Sequence, residues 1–334
     1  MLGLHLGVAM RRRDFIKAIA GSAAAWPFRA GAQKQSMNIP KIGVLWPGVA
    51  PPVSPRMESF RLALRQFGYV EGQTVEIELR YAEKGVQQLP ELAAELVRLE
   101  VDVITAFGDL APKVAQQATG TIPIVAICDD IVGAGVVASL SHPGANITGF
   151  TLLAPELSAK RLELLKEFVP GNSRVAVLWD PTTGKAQVKE SENAARSLNL
   201  NLQILEVRNR DAIPDAFAAA RDGQAGAIIV FASPLLASLN REIITLAAEY
   251  RLPAIYQWRE AVEAGGLLSY GADLASMWRQ SGVIVGRVLK GEKSANLPVE
   301  QPARFELAVN AKTAILLKLP IPPNILVRAD AVID

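Results

Sequence analysis

Ile42-Gly-Val-Leu-Trp46 and Val175-Ala-Val-Leu-Trp179 are two versions of one short apolar run, each ending on tryptophan. A second pair follows in the same order, since Ile122-Pro-Ile-Val125 is similar to Leu252-Pro-Ala-Ile255. An acidic residue stands seven positions beyond each proline of this second pair. Continuous apolar runs of about four to eight residues are typical of strands buried on both faces of a parallel sheet. The repetition therefore predicts two similar α/β halves.

Strand-length runs alternate with helix-length periodic segments, the order expected of parallel α/β sheets. In the first half, strands are predicted at 41–46, 75–81, 101–106 and 122–128, with helices at 56–67, 89–99 and 111–118. In the second half, strands are predicted at 174–179, 202–207, 227–231 and 252–256, with helices at 185–198, 212–220 and 240–250.

The remaining tail, residues 267–334, is too short for a third unit of this kind. It predicts a strand at 267–270, a helix at 274–289, a strand at 305–309 and a final short helix. We expect the tail to cross to the first lobe and return to the second. With a crossing near Gly149, this gives three hinge crossings. The expected lobes are 38–148 plus 270–300 and 149–269 plus 301–334; alternatively, the tail only extends the second sheet.

The N-terminus has the pattern of an export signal. Arg11-Arg-Arg-Asp-Phe-Ile-Lys17 precedes a small-residue apolar run at 18–26, and Ala30-Gly-Ala32 follows. A basic segment, a short apolar segment and an A-x-A site predict a signal peptide over 1–32, of the twin-arginine type. The run is too short to cross a bilayer. We expect a periplasmic protein, with Met10 as an alternative start; the alternative reading is an amphipathic first helix.

Composition excludes several classes of function. Residues 33–334 hold 30 basic and 32 acidic side chains, so the chain shows no basic excess for binding nucleic acid. Cys128 is the only cysteine and His142 the only histidine after residue 32, which excludes an intrachain disulfide and the usual zinc and cysteine–histidine sites. About 300 residues exceed what one hydrophobic core usually holds, which favours two domains.

One short motif matches a cofactor fingerprint. Gly133-Ala-Gly135-Val-Val-Ala138 has the spacing G-x-G-x-x-A of dinucleotide-binding loops. It starts five residues beyond the predicted strand end at Cys128, whereas the fingerprint opens directly off a strand. We interpret these glycines as packing residues at a helix start and expect no cofactor.

The predicted ligand site lies at the carboxyl ends of the strands, where open α/β sheets bind ligands. Aromatic residues there suit a flat or apolar solute, and acidic residues suit an ammonium group. The alternatives are that the tryptophans cap sheet edges and that Asp109, Asp130, Asp180 and Ser233 are helix N-caps. The predicted binding residues are Trp46, Phe107, Gly108, Asp109, Asp130, Trp179, Asp180, Ser233, Tyr256 and Tyr270.

The chain resembles the substrate-binding proteins of ABC importers, nearest to the tryptophan/tyrosine type. The resemblance rests on Phe67-Gly-Tyr-Val-Glu-Gly-Gln73, Leu89-Pro-Glu-Leu-Ala-Ala-Glu-Leu-Val97, Gly144-Ala-Asn-Ile-Thr-Gly149, Ala159-Lys-Arg-Leu-Glu-Leu-Leu165 and Gln301-Pro-Ala-Arg-Phe-Glu-Leu307. It implies a periplasmic-binding-protein fold, two lobes with a mostly parallel, helix-flanked sheet in each. It also implies solute-binding roles for strand-exit residues of both lobes: Trp46, Phe107, Gly108, Asp130, Asp180, Ser233, Tyr256 and Tyr270.

Two departures from the family pattern bear on the ligand. The family commonly has Asp-Pro where this chain has Asp129-Asp130, and Asn-Pro more often where it has Asp180-Pro181. Both departures add acid to the cleft.

The resemblance also implies the function and the partners. We expect a monomer that captures a small organic solute, an aromatic amino acid or an aromatic or organic acid, and delivers it to an ABC permease and its ATPase subunit. One alternative is an exported enzyme that uses Asp130 or Asp180 as acid or base. A second is a periplasmic sensor module. A ligand-controlled repressor shares the fold but would have a DNA-binding segment where the export signal lies.

Overall fold

The computed structural model describes residues 39–49, 55–183 and 185–334. The signal peptide predicted over 1–32 and the alternative start at Met10 lie outside these ranges. Among the helices of these residues, none has the length and hydrophobicity needed to span a bilayer.

The first sheet has five parallel strands in the order β2-β1-β3-β4-β5. Three of these strands are buried along their whole length, because helices cover both faces of the sheet. The strands are Lys41–Trp46 (β1), Glu76–Tyr81 (β2), Val103–Phe107 (β3), Ile124–Cys128 (β4) and Ile147–Thr151 (β5).

Four main helices flank this sheet. Pro55–Gln66 (α1) and Leu274–Leu289 (α10) share one hydrophobic cluster with the sheet. Leu89–Arg98 (α2) and Leu110–Ala118 (α3) pack in the cluster on the other face. The helix α2 buries Leu89, Ala93 and Leu96 at spacings of four and three residues, which places all three on one helical face.

The second sheet has seven strands in the order β12-β11-β10-β9-β8-β6-β7. All neighbours are parallel except β10 and β11, whose register pairs Leu268 with Val309. The strands are Arg174–Trp179 (β6), Asn201–Glu206 (β7), Ala227–Val230 (β8), Ala254–Tyr256 (β9), Leu268–Ala272 (β10), Phe305–Asn310 (β11) and Ala331–Ile333 (β12).

Helices cover both faces of the second sheet as well. They are Ala154–Phe168 (α4), Ala186–Leu198 (α5), Ala212–Asp222 (α6), Pro234–Ser238 (α7), Asn240–Glu249 (α8), Arg259–Glu263 (α9), Ala311–Leu316 (α11) and Pro323–Arg328 (α12).

Three segments connect the two sheets, as predicted. The first lies between β5 and α4, and the second between β10 and α10, where Asp273 caps the helix by accepting a hydrogen bond from the Ser276 N–H at 3.0 Å. The third leads from Glu300, which bridges to Phe150, to β11. Residues 147–151 belong to the first sheet and residues 268–272 to the second.

The sequence patterns missed β5, a strand with two threonines and a glycine. Thr148 is tolerated because its hydroxyl donates to the Leu297 carbonyl oxygen at 2.7 Å. Gly149 is required because a Cβ there would lie 1.8 Å from the backbone oxygen of Ala126 on the neighbouring strand. The sequence patterns likewise missed α4, α9 and β12.

The predicted helix start at Gly133–Ala138 is wrong. Residues 131–138 form consecutive turns and bends, and the Gly133 N–H donates to Asp130 Oδ1 at 2.8 Å. The loop therefore lacks the free helix N-terminus to which a dinucleotide pyrophosphate binds.

Candidate functional site

The carboxyl ends of both sheets meet where the lobes touch. Gly108 follows β3 and has a φ of 72°, and a Cβ there would lie 2.9 Å from Cγ of Pro234 in the second lobe. Arg56 of α1 also crosses the interface, because its Nε lies 3.0 Å from Glu260 Oε1 and its guanidinium lies over the Trp258 ring. The structure is therefore a closed arrangement of the two lobes.

A small cavity lies between the closed lobes. Its walls combine Trp46, Phe107 and Trp278 with Pro234 and Trp258 from the other lobe. The Phe107 and Trp278 rings are stacked, with centroids 4.5 Å apart, and Trp46 packs 4.9 Å from Phe107. The free volume is about 40 Å³, far below the roughly 300 Å³ at the lower end of pockets that enclose small organic molecules. A solute of that size requires the lobes to open or the rings to move.

Two buried polar atoms on the cavity-lining residues have no hydrogen-bond partner within the described ranges. They are the indole Nε1 of Trp46 and the Oδ2 of Asp129. An unpaired buried polar group costs about 1–3 kcal/mol, and more when it is charged. One atom is a donor and the other an acceptor, so together they complement a ligand that carries both a carboxylate and an ammonium group.

Asp129 is a deeply buried carboxyl at this junction. It is 2 % exposed, and burial raises its pKa well above the ordinary range. The carboxylates of Asp109 and Asp180 raise the pKa further, whereas the Arg161 guanidinium lowers it. Burial also raises the pKa of Asp109 to about 7, although the Asp130 N–H donates to its Oδ1 at 3.2 Å. Burial and the neighbouring carboxylates therefore both favour the protonated form of Asp129 in this closed arrangement.

Arg161 of α4 is the cation that faces Asp129. It is fully buried, its Nε donates to the Tyr270 carbonyl oxygen at 2.7 Å, and its Nη1 donates to Ser158 Oγ at 3.4 Å. Burial lowers its pKa to about 10, so the guanidinium stays charged at neutral pH. It thereby links the helix after the first crossing to the strand before the second.

Asp180 and Ser233 form a hydrogen-bonded group at the edge of the second lobe. Asp180 Oδ1 accepts from the N–H of Thr182 at 2.9 Å and from its hydroxyl at 2.8 Å, and the Ser233 hydroxyl also donates to the Asp180 carboxylate. Burial raises the Asp180 pKa, and these hydrogen bonds oppose the rise. Asp180 borders a wider cleft of about 490 Å³, which has Pro47 and Gly48 on its other side.

The helix-cap alternatives have different outcomes. Ser233 is an N-cap, because its Oγ accepts from the Leu236 N–H at 2.9 Å. Asp109 precedes α3 but makes no capping bond, since its carboxylate accepts from the next strand-exit loop instead. Asp130 caps no helix, because a turn follows it.

The structure brings together seven of the ten predicted site residues around the junction. Trp46, Phe107 and Gly108 line the cavity. Asp109 and Asp130 interact with Asp129 in the first lobe, and Asp180 and Ser233 lie in the second.

The other three predicted residues do not line this cavity. Trp179 packs in the core on one face of the second sheet, where Tyr270 also lies against Phe305 at 6.1 Å. Tyr256 is 0 % exposed and packs in the core on the opposite face. Side chains at a strand end still alternate between the two faces of the sheet, so a position at the exit does not guarantee that a side chain reaches the cleft.

Sequence reasoning missed five residues of the junction. Asp129 adjoins a predicted residue, and Trp258 is itself a strand-exit aromatic, so both had a usable signal. Trp278 has the spacing of an ordinary helix core residue, and nothing local distinguishes Arg56 or Arg161 from other helical arginines.

The described ranges contain no group of three or more histidine, cysteine, aspartate or glutamate side chains placed to hold a metal ion. Cys128 is a free, fully buried thiol, and burial raises its pKa. A small buried thiol of this kind packs as an apolar residue.

Comparison with known proteins identifies the family. Residues 41–333 match the family model described as ABC transporter substrate binding protein, and the chain therefore belongs to that family. A similar protein is the "Tyrosine-binding protein" of Clostridioides difficile strain R20291, 26% identical over 267 residues, which cover 79% of this chain and 76% of that protein.

Two solved structures support the same fold. One is an ABC domain in complex with L-Trp from Streptococcus pneumoniae, with 25% identity, a TM-score of 0.79 and coverage of 87% of this chain and 100% of that one. The other is a conserved domain protein from Vibrio cholerae, with 24% identity, a TM-score of 0.80 and coverage of 88% and 99%. The similarity to the Vibrio cholerae protein shows only that the two chains share a fold.

Proposed function

We propose that this substrate-binding protein captures an aromatic α-amino acid between its lobes. The observation that carries the proposal is the interlobe cavity. Its aromatic walls come from both lobes, and its lining residues include one donor and one acceptor that have no hydrogen-bond partner among the described residues. The relative named for tyrosine and the similar structure that holds L-Trp support the same ligand class.

The polar ends of such a ligand match the unpartnered atoms. Asp129 Oδ2 would accept hydrogen bonds from the α-ammonium group, and the Trp46 Nε1–H would donate to the α-carboxylate. The guanidinium of Arg56, at the same cavity, adds a positive charge beside the carboxylate. Charge-assisted hydrogen bonds are about twice as strong as neutral ones, so these contacts orient the ligand.

The aromatic ring of the solute would enter the stack of Phe107 and Trp278. In the closed structure these two rings stack directly on each other and leave no space between them. The ligand ring must therefore separate them as the lobes close. Each aromatic pair contributes about 0.5–1.5 kcal/mol beyond the area it buries. Because the walls come from both lobes, the ligand binds the closed state better than the open one, and this difference alone shifts the equilibrium.

Export and delivery complete the proposal. The twin-arginine pattern at 11–17 would direct the protein to the periplasm, where a permease with its ATPase subunit would accept the solute. The family is a binding family, so an enzyme that uses Asp130 or Asp180 is not favoured. A sensor role remains the second candidate, and a permease and an ATPase gene beside this one would favour transport.

Two measurements test the proposed ligand. Mass spectrometry of the solute released by denaturing purified protein should identify an unmodified aromatic amino acid. Isothermal titration should then show binding of L-tryptophan or L-tyrosine and much weaker binding of L-leucine, which lacks a ring to stack. Release of a sugar or an aliphatic acid, together with no heat from either aromatic amino acid, would contradict the proposal.

A further inference from the structure

Four carboxyl groups converge where the two lobes meet. Asp109 and Asp130 of the first lobe and Asp180 of the second each accept a hydrogen bond from a backbone N–H. Asp129 Oδ2 has no such partner within the described ranges, although the residue is almost completely buried. This carboxyl is therefore the one whose negative charge the protein stabilises least.

The charged groups facing Asp129 come from four parts of the fold. Asp109 follows β3, Asp130 lies in its own loop, Asp180 reaches it from the second lobe, and Arg161 lies on α4. One guanidinium thus opposes three carboxyl groups. Further away, Lys113 acts on Asp109 and Arg208 acts on Asp180. An added negative charge at Asp129 is unfavourable in this setting, because neighbouring carboxylates repel it in a buried site.

We propose that solute capture is coupled to proton release: the solute's ammonium group displaces the proton that Asp129 carries in the closed, empty site. The inference rests on the proposed function, which brings an ammonium group to this carboxyl. The O–H bond of Asp129 breaks, the proton leaves to solvent, and an ammonium–carboxylate pair forms. Since Asp109 and Asp129 interact, the proton belongs to the pair as a unit.

The sign of the pH dependence follows directly. The protonated carboxyl and the ammonium compete, so the dissociation constant falls as pH rises. Where one full proton is released, affinity rises about tenfold per pH unit, and it levels off above the pKa of the empty site. Opening the lobes moves Asp180 away and admits water to Asp129, which weakens both causes of its raised pKa. The proton is therefore held in the closed, empty form, and an ammonium group that binds this carboxyl releases it.

Proton counting on the full chain tests this inference without any variant. L-tryptophan is titrated calorimetrically near pH 6 in buffers of different ionisation enthalpy. We expect close to one proton released per tryptophan and a dissociation constant that falls between pH 5 and pH 7. Tryptamine should release a proton as well, whereas indole-3-propionate, which lacks the ammonium group, should release none. Tryptophan binding with no proton release and a flat pH profile would overturn the inference and leave the proposed function standing.

Two variants and one ligand-free measurement complete the test. Asp129→Asn should abolish proton release, whereas Asp215→Asn, which removes an exposed carboxyl on α6, should retain it. If no aromatic amino acid binds, the proposed function fails. The carboxyl itself is then followed by ¹³C NMR of labelled aspartate. A signal that titrates above the usual aspartate range and is missing in Asp129→Asn supports a stored proton; ordinary titration of every aspartate refutes it.

Discussion

Replacing Gly108 by alanine should weaken solute binding by hindering closure of the lobes. The new Cβ would lie 2.9 Å from Cγ and 3.3 Å from Cδ of Pro234, and this contact crosses between lobes. When the lobes are apart, the methyl group meets no such neighbour. The substitution therefore raises the free energy of the closed state relative to the open state.

The magnitude follows from two separate costs. Overpacking a well-packed contact costs about 1–3 kcal/mol, which corresponds to roughly 5- to 150-fold weaker binding. The backbone adds a second cost, because Gly108 has a φ of 72° and an alanine there loses about 1–2 kcal/mol. This backbone cost is the same with the lobes open or closed, so it lowers the free energy of unfolding without changing the affinity.

Gly144→Ala is the matched control. Gly144 has a φ of 74°, and a Cβ there would meet nothing within 4 Å, so this variant has the backbone strain without the interlobe contact. Calorimetry with L-tryptophan should give near wild-type affinity for Gly144→Ala and the loss for Gly108→Ala. Thermal unfolding without solute should show a similar decrease in Tm for both. Equal affinities of the two variants would refute the argument that closure brings Gly108 against Pro234.

Three further substitutions test other parts of the structure. Arg56→Gln removes the interlobe ion pair with Glu260, in which the Arg56 side chain is 18% exposed and the Glu260 side chain 40% exposed. We expect a two- to fivefold loss of affinity, about 0.5–1 kcal/mol, and a weaker dependence of Kd on salt. Tyr256→Phe should leave solute affinity unchanged and keep or raise Tm, because it removes a buried hydroxyl without a partner in the described ranges. A large loss of affinity would show that the Tyr256 hydroxyl takes part in solute binding. Gly149→Ala should prevent folding or lower Tm strongly, as measured by circular dichroism, because its Cβ would overlap the Ala126 carbonyl.

Much of the fold was predictable because strand and helix patterns are local. The runs at 41–46 and 174–179 match the observed strands residue for residue, since each is continuous, apolar and buried on both faces. The strand at 147–151 was missed because its burial depends on a distant partner, the Leu297 carbonyl that pairs with Thr148. The sequence around residue 148 contains no pattern that predicts this contact with Leu297.

The candidate site was predictable in position and only partly in composition. The strand-exit rule named Trp46, Phe107 and Gly108, which line the interlobe cavity, since residues that leave parallel strands share one edge of the sheet. The same rule placed Tyr256 at the site, whereas its side chain turns into the core of the second lobe. Trp278 lies about 170 residues beyond Phe107 along the chain, on a helix that the second crossing brings to the first lobe.

The sequence by itself determined two α/β halves, three connections between them and the sheet edges at which the candidate site lies. These features depend on hydrophobic periodicity and chain order, which act over a few residues or along the chain. Only the tertiary structure decided which side chains face one another across the lobes and which carboxyl lacks a partner. Burial and electrostatic interaction depend on distances in space, and those distances exist only once both lobes are folded and in contact.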